Sequence, residues 1–490
     1  MNIRQAMRDT NLFGQLFAGE SWLAWRALLA GFYGLPLDAG EVEHWKTLTE
    51  REKAPTSAAD ELWLVVGRRG GKSQIAALLA VFEAAFHDYR DRLAPGEVAT
   101  VMVLAADRKQ ARAVFRYVGG LLHSNAMLER LIVREDREAI ELSNRTMIEV
   151  HTASFRAVRG YTVACCIADE IAYWRSDESA NPDYEILNAI RPAMATLGGR
   201  LVALSSPYAR RGELWDAYRQ HYGEDGSILV AKAPSQVMNP TLPTRVIERA
   251  YERDAAVASA EYGAEFRRDL EAFVSREALE QCTAPGLLEL PPVSMLPEGR
   301  APAYVAFVDP SGGSRDSMTL AVAHEENGIA VLDCVREWRP PFNPDDVTRE
   351  AAAVVKAYGL ASVTGDAYGG EWPRERFSAH GIGYRVGSKP RSQLYLELLP
   401  RLNAGTCQLL DQSRLLAQLA ALERRTSRAG RDTIDHPPRA HDDVANSAAG
   451  ALVGLGVIAP LGDVVLVQSM VSREYEDAVG QPFYATFDDY

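Results

Sequence analysis

An apolar run that breaks into a glycine-rich, lysine-terminated turn and passes straight into a helical stretch leaves a chain few folds to choose from. Val65-Val66-Gly67-Arg68-Arg69-Gly70-Gly71-Lys72-Ser73 is such a passage. The preceding residues 62–67 read as a buried strand, and 73–89 carries the spacing of a helix. At a strand–helix junction, glycines let backbone N–H groups curl around a phosphate at the positive end of the helix dipole. Lys72 is then placed to reach β- and γ-phosphates, and the Ser73 hydroxyl to meet Mg²⁺. The full GxxxxGK[ST] pattern is not met, because Val66 stands where its first glycine would be.

Short apolar strands alternate with helical stretches from Glu61 onward, the signature of an α/β fold with a mostly parallel sheet. Strands are expected at 101–107, 164–170, 200–207 and 227–233, and helices at 111–122 and 213–220. A charged helix is expected to end near Leu270. The strand at 164–170 ends in Asp169-Glu170. Such a pair can hold Mg²⁺ through the first acid and deprotonate an attacking water through the second. A cation must also meet the charge on a transferring phosphoryl group. Four arginines compete for that role: Arg68 and Arg69 in the turn, and Arg156 and Arg159 ahead of the acidic strand, with Arg159 preferred. Ser205-Ser206-Pro207 closes the next strand, where small hydroxyls can sense a γ-phosphate and transmit its loss.

Ahead of this region, residues 1–58 place Leu12, Phe13, Leu16, Phe17, Trp22, Trp25, Leu29 and Phe32 at helical spacing, a small helical preface. The nucleotide-binding region should therefore span 59–270. A proline-rich stretch inside 271–300 reads as a linker, and a second α/β unit follows over 301–460, with an acidic tail at 461–490. Five cysteines form no metal-ligand or disulfide pattern, and no run reaches about 18 apolar residues, so neither a zinc site nor a membrane span is expected. The formal charge of −13 sits badly with a nucleic-acid partner unless basic residues cluster locally.

The second unit offers strands at 304–309, 318–325, 328–338 and 362–366, a helix near 345–358, and a final helix starting close to His441. Its acids stand at element ends: Asp309, Asp316 in the turn after it, Asp366, and the pair Asp442-Asp443. Carboxylates brought from several strand ends to one sheet edge form an oxygen-rich site suited to Mg²⁺ or Mn²⁺. A pair of ions in such a site serves phosphodiester cleavage. Just upstream, Arg424, Arg425, Arg428, Arg431 and Arg439 form a basic stretch on a loop or hairpin able to track a phosphate backbone.

Taken in order, GRRGGKS at 67–73, IADE at 167–170, SSP at 205–207, FVDPSGG at 307–313, TGDAYGG at 364–370 and HDDVANSAAGA at 441–451 resemble the large terminase subunits of tailed double-stranded DNA bacteriophages. The resemblance covers about residues 10–460. It implies an N-terminal P-loop ASCE ATPase domain and a C-terminal RNase H-like nuclease domain with a mixed sheet. On this resemblance Gly67, Arg68, Arg69, Gly70, Gly71, Lys72, Ser73 and Asp169 bind ATP and its Mg²⁺, Glu170 is the base, and Arg159 is the trans-acting finger. Asp309, Asp366 and one of Asp442 and Asp443, with Asp443 favoured, hold two Mg²⁺ or Mn²⁺, and Asp316 is an extra ligand. The implied partners are double-stranded DNA, the portal protein of a procapsid, a small terminase subunit, and further copies of the chain in a pentameric ring. The implied setting is the host cytoplasm, transiently at the portal vertex, and not the mature virion. Two other classes stay open: a translocase or helicase whose C-terminal domain only binds DNA, and a non-enzymatic capsid-associated protein.

Overall fold

The computed structural model describes residues 1–154, 160–174, 182–267, 270–314, 316–366, 371–426, 432–437 and 440–457. Two compact units emerge. The first comprises Met1–Phe273 with Ala420–Pro437, and the second Val274–Leu419 with Pro438–Tyr490. Arg156, Arg159, Arg428, Arg431, Arg439 and the tail 461–490 lie outside the described residues. No helix among the described residues is long and apolar enough to cross a membrane.

The first unit is built on eight strands: β1 (Glu61–Val66), β2 (Ala99–Ala105), β3 (Ile132–Glu135), β4 (Ala139–Leu142), β5 (Thr146–Thr152), β6 (Thr162–Asp169), β7 (Arg200–Ser205) and β8 (Ile228–Ala233). Their order is β3-β4-β5-β2-β6-β7-β1-β8. All pairings from β5 to β8 are parallel, whereas β3–β4 and β4–β5 are antiparallel. Strand β7 therefore separates the strand feeding the glycine-rich turn from the strand ending in Asp169. That inserted strand is the ASCE form of the P-loop fold. Both faces of the sheet are covered, which is why its strands read as nearly unbroken apolar runs. On β1, Leu62, Leu64 and Val66 join one core, and Trp63 and Val65 join the other.

The N-terminal preface forms Ile3–Arg8, Gly14–Phe17, Leu23–Phe32 and Ala39–Thr49, and its Trp25, Phe32, Trp45 and Leu48 enter the first of these cores. Strand β3 was not legible in the sequence, because most of it is exposed and carries no apolar alternation; β4 and β5 do bury alternate residues, but in short runs interleaved with polar ones. The charged helix expected to end near Leu270 is instead two helices, Thr244–Arg253 and Ala255–Glu261. Asp254 divides them by accepting from the N–H groups of Ala256 and Val257, each at 3.0 Å, so its side chain starts a new helix. A short strand, β9 (Leu270–Ala272), follows.

The second unit contains β10 (Thr283–Ala284), β11 (Val305–Asp309), β12 (Met318–Glu326), β13 (Ile329–Trp338), β14 (Ser362–Gly365), β15 (Gly383–Val386) and β16 (Cys407–Leu410). They are ordered β10-β16-β13-β12-β11-β14-β15. An antiparallel meander, β11–β12–β13, is extended by parallel strands on both sides. This mixed sheet is the RNase H-like arrangement. One face packs on the helix Pro344–Ala357 through Ala306, Val308 and Val355. Over the other lies the helix Asp443–Gly454, and the approach is close: a Cβ at Gly450 would stand 2.2 Å from the Phe307 ring.

Two expected boundaries need correction. The segment 271–300 is not a free linker. It supplies the helix Arg276–Cys282 and β10, and Gly286 N–H donates to Asp411 Oδ2 at 2.8 Å while Leu290 N–H donates to Asp333 O at 2.8 Å. Its prolines punctuate a fastened segment, since the backbone donors around them find partners. Nor is 301–460 one continuous unit. The hairpin β17 (Glu423–Thr426) and β18 (Asp432–Asp435) belongs to the first unit, where β17 pairs antiparallel with β9. The partner strand lies about 150 residues away, a pairing no local pattern announces.

Candidate functional sites

The glycine-rich turn is held open by its carbonyls. Ser235 Oγ donates to Arg68 O at 2.6 Å, Asn239 Nδ2 to Arg69 O at 2.8 Å, and the buried Trp25 Nε1 to Gly70 O at 2.9 Å. Three successive carbonyls are thus engaged by donors from outside the turn, and the N–H groups of Gly67, Arg68 and Gly70 are taken by Ala233 O, Glu261 O and Gly67 O. The remaining N–H groups, those of Arg69 and Gly71 among them, are therefore the ones an anion would meet. Arg69 and Gly71 adopt positive φ of 64° and 94°. At Gly67 a side chain is excluded outright, because a Cβ would stand 2.4 Å from Ser235 Oγ and 2.7 Å from Tyr262 O. Arg68 is tied to Glu261 by its guanidinium at 2.8 Å and by its backbone N–H, so it is engaged inside its own unit. None of Ser235, Asn239, Glu261 and Trp25 was found from the sequence, since each lies far along the chain from the turn it supports.

Lys72 is 6% exposed and lies at the centre of the site. Its Nζ donates to Val66 O at 3.0 Å and to Ser206 Oγ at 2.9 Å, and it stands 3.5 Å from Glu170 Oε1. Glu170 has a left-handed backbone (φ 51°), a conformation that costs a non-glycine residue energy and turns it out of the line of β6. Its Oε2 accepts from Ser205 Oγ at 3.0 Å and from Ser206 N–H at 3.2 Å. Asp169 is buried, and its Oδ1 has no hydrogen-bond partner. Burial, and then the neighbouring Glu170, push its carboxyl up to about 7, while Lys72 pulls the other way. A buried carboxylate with an unpartnered oxygen beside a second acid suits a cation. Ser206 thus touches both Lys72 and Glu170, and Ser205 touches Glu170, while Arg159 lies outside the described residues.

In the second unit, Asp309 ends β11 and Asp366 directly follows β14. These are adjacent parallel strands with Val308 opposite Gly365, so the topology brings both acids to one sheet edge. Asn446 Nδ2 donates to Asp309 Oδ2 at 2.8 Å. Asn446 and Gly450 are one helical turn apart, and Phe307 and Asp309 share a strand face. The Gly450–Phe307 approach therefore sets the distance at which Asn446 meets Asp309. Burial pushes the Asp309 carboxyl up to about 7; Asn446 opposes this, and Asp443, Asp366 and Asp442 reinforce it. Asn446 Oδ1 is buried without a hydrogen-bond partner. Among the described residues no three His, Cys, Asp or Glu side chains gather closely enough to hold a metal ion as they stand. The chemistry of the donors still fits a hard divalent cation: an acid destabilised by three other acids, next to an unpartnered amide oxygen.

The sequence left Asp442 and Asp443 open, and their surroundings differ. Asp442 is 1% exposed, and its oxygens accept from Arg391 Nη1 at 2.8 Å and Tyr395 OH at 2.9 Å. Asp443 opens the final helix, and Ser317 N–H donates to its Oδ2 at 3.3 Å. Burial first, then Asp442, raises the Asp443 carboxyl above its ordinary range. Asp316 is exposed; its carboxylate lies 3.9 Å from His441, and its backbone carbonyl accepts from Ser311 Oγ at 2.6 Å. Asp442→Asn should therefore lower stability by roughly 2 kcal/mol through its lost charged hydrogen bonds. Asp443→Asn should leave the melting temperature nearly unchanged. Thermal melts of the two variants compared with wild type check this, and equal destabilisation would reverse the assignment of roles.

Of the predicted basic stretch, Arg424 and Arg425 are described and lie on β17. Arg424 Nε donates to Asp432 at 2.9 Å, and Arg425 stands 3.5 Å from Glu423.

No protein-family model matches the chain, and no curated protein matches it. Solved structures do. The HK97 bacteriophage large terminase matches over 81% of this chain and 91% of its own, at 15% identity and a TM-score of 0.36. The large terminase ATPase domain of Thermus phage P74-26 (mutant R139A) matches over 49% and 98%, at 18% identity and a TM-score of 0.36. The magnesium-bound large terminase nuclease of thermophilic phage G20c matches over 37% and 96%, at 22% identity and a TM-score of 0.30.

Proposed function

We propose that this chain is a large terminase subunit, which hydrolyses ATP in its first unit to drive viral double-stranded DNA into a procapsid and cuts concatemeric DNA with its second. The observation that carries this reading is the presence of two distinct hydrolytic constellations on one chain, in the motif order of that family. One is Lys72 at the start of the helix that follows the glycine-rich turn, with Glu170 and Ser206 just past the ends of two parallel strands; the other is Asp309 and Asp366 at the ends of adjacent strands, with Asp443 at the start of the helix packed over them.

In the first site, the turn's N–H groups and Lys72 bind the β- and γ-phosphates, with Lys72 leaving Ser206 and Glu170 to do so. Glu170, held by Ser205 and Ser206, takes the proton of the attacking water. Ser73 and Asp169 would hold Mg²⁺. In the second site, Asp309, Asp366 and Asp443 would hold Mg²⁺ or Mn²⁺, and Asn446 orients Asp309. Ions held there would supply Lewis acidity at the scissile phosphate. The arginine completing the ATP site is Arg159, from the same chain or from a neighbouring copy in a pentameric ring. The portal protein, a small terminase subunit and DNA complete the assembly, in the host cytoplasm and at the portal vertex.

The full chain with Mg²⁺ or Mn²⁺ is expected to linearise supercoiled plasmid and to hydrolyse ATP. Asp309→Ala should abolish cleavage and spare ATP hydrolysis. Retained cleavage would reject the nuclease and leave a translocase whose second unit only binds DNA. Absence of any Lys72-dependent ATP hydrolysis would instead favour a non-enzymatic capsid-associated protein.

A further inference from the structure

Beyond Ser205 and Ser206, the chain runs onto a buried acid from a distant part of the sequence. Within the first unit, Tyr208 OH donates to Glu423 Oε2 and Arg211 Nη2 donates to Glu423 Oε1, each at 3.0 Å. Glu423 is 0% exposed and is the first residue of β17, the strand that carries Arg424 and Arg425. A carboxylate so fully withdrawn from water must be held by donors, so these two contacts help set where β17 begins. The link back to the ATP site is short. A single residue, Pro207, with its restricted φ, separates Ser206 from Tyr208. The Tyr208 ring also lies 5.4 Å from the ring of Tyr173, three residues after Glu170. Tyr208 is thus reached from both strands that shape the hydrolytic site.

We propose that Glu423 is a positioning residue through which the occupant of the γ-phosphate site sets the placement of the β17–β18 hairpin, and with it the grip of Arg424 and Arg425 on a DNA backbone. This rests on the ATP-and-DNA reading above and adds the element that receives the signal. When Lys72 leaves Ser206 for a γ-phosphate, the Ser206 hydroxyl loses the donor it accepts from. The resulting shift passes through Pro207 to Tyr208 and Arg211. Glu423 follows its two donors. Arg425, 3.5 Å from Glu423, and Arg424, paired with Asp432 across the hairpin, then change their presentation to phosphate.

The test uses the full chain and a short DNA duplex, with affinity measured in a non-hydrolysable ATP analogue and in ADP. Wild type should show affinities differing on the order of tenfold between the two nucleotides. Glu423→Gln and Tyr208→Phe should bring that ratio to about one while ATP turnover without DNA persists. A ratio that persists in both variants overturns the proposal, as does a ratio of one in wild type. Should Glu423→Gln fail to fold, Tyr208→Phe carries the test. Amide hydrogen exchange of Glu423–Thr426 reads the same link without DNA: it should respond to the nucleotide in wild type and not in Tyr208→Phe, and the same response in both overturns the link. Failure of wild type to hydrolyse ATP or to bind DNA would count against the functional reading instead, and the exchange comparison separates the two.

Discussion

Glu170→Gln is expected to lower ATP turnover by about 10²–10⁴-fold while leaving nucleotide affinity nearly unchanged. Glutamine keeps the shape of the side chain and can still meet Ser205 and Ser206, so the site should stay assembled. What disappears is the only function glutamine cannot serve, acceptance of the water's proton. Affinity depends instead on the turn's N–H groups and on Lys72, whose charge then lacks its 3.5 Å partner Glu170 before nucleotide arrives and is attracted to phosphate at least as strongly. Single-turnover hydrolysis together with equilibrium binding of a fluorescent ATP analogue separates the two quantities. Turnover within a few-fold of wild type would remove Glu170 from the role of base and shift attention to Asp169.

Divalent ions should stabilise the chain far more at pH 8 than at pH 6, and Asp309→Asn should remove most of that difference. Asp309 has its carboxyl pushed up from 3.8 to about 7 by burial and by three neighbouring acids. Between these values the folded chain keeps a proton that the unfolded chain releases, so the folded state binds more protons. Stability therefore falls as pH rises through the window from about 4 to 7, by on the order of 4 kcal/mol in all. A cation bound to the ionised carboxylate reverses this loss, but below pH 7 it must compete with the proton. Thermal melts without nucleotide, with and without MgCl₂, should show an upward shift of several degrees at pH 8 and little at pH 6. Asp309→Asn should raise the metal-free midpoint at pH 8, because the buried charge is gone, and lose the metal-dependent shift. Equal shifts at both pH values, or a shift that survives in Asp309→Asn, would refute the assignment of Asp309 to the cation.

The two sites were legible to different depths. Gly67–Ser73 could be read on its own, because a phosphate turn is one continuous segment whose strand, glycines and helix are neighbours in sequence. Asp169-Glu170 and Ser205-Ser206 each end an apolar run, and ends of parallel strands in one sheet gather at one edge. Asp309 and Asp366 were visible for the same reason. What could not be read was the set of residues that hold these groups in place. Trp25, Ser235, Asn239 and Glu261 brace the turn from positions before and after it, and Asn446 reaches Asp309 across 137 residues.

The sequence by itself determined the two α/β units, the strand ends that carry the acids, and the glycine-rich turn between a strand and a helix, because those features follow from local period and from residues adjacent in the chain. Tertiary structure alone decided three matters. It separated Asp442, locked by Arg391 and Tyr395, from Asp443. It fastened the proline-rich stretch that had read as a linker. And it carried the arginine-bearing hairpin of residues 423–435 into the first unit, where Glu423 meets Tyr208 and Arg211. In each case the deciding contact joins residues dozens to hundreds of positions apart. The cost of a buried charge or an unpaired donor depends on what packs against it, and a one-dimensional pattern of polar and apolar residues does not contain that.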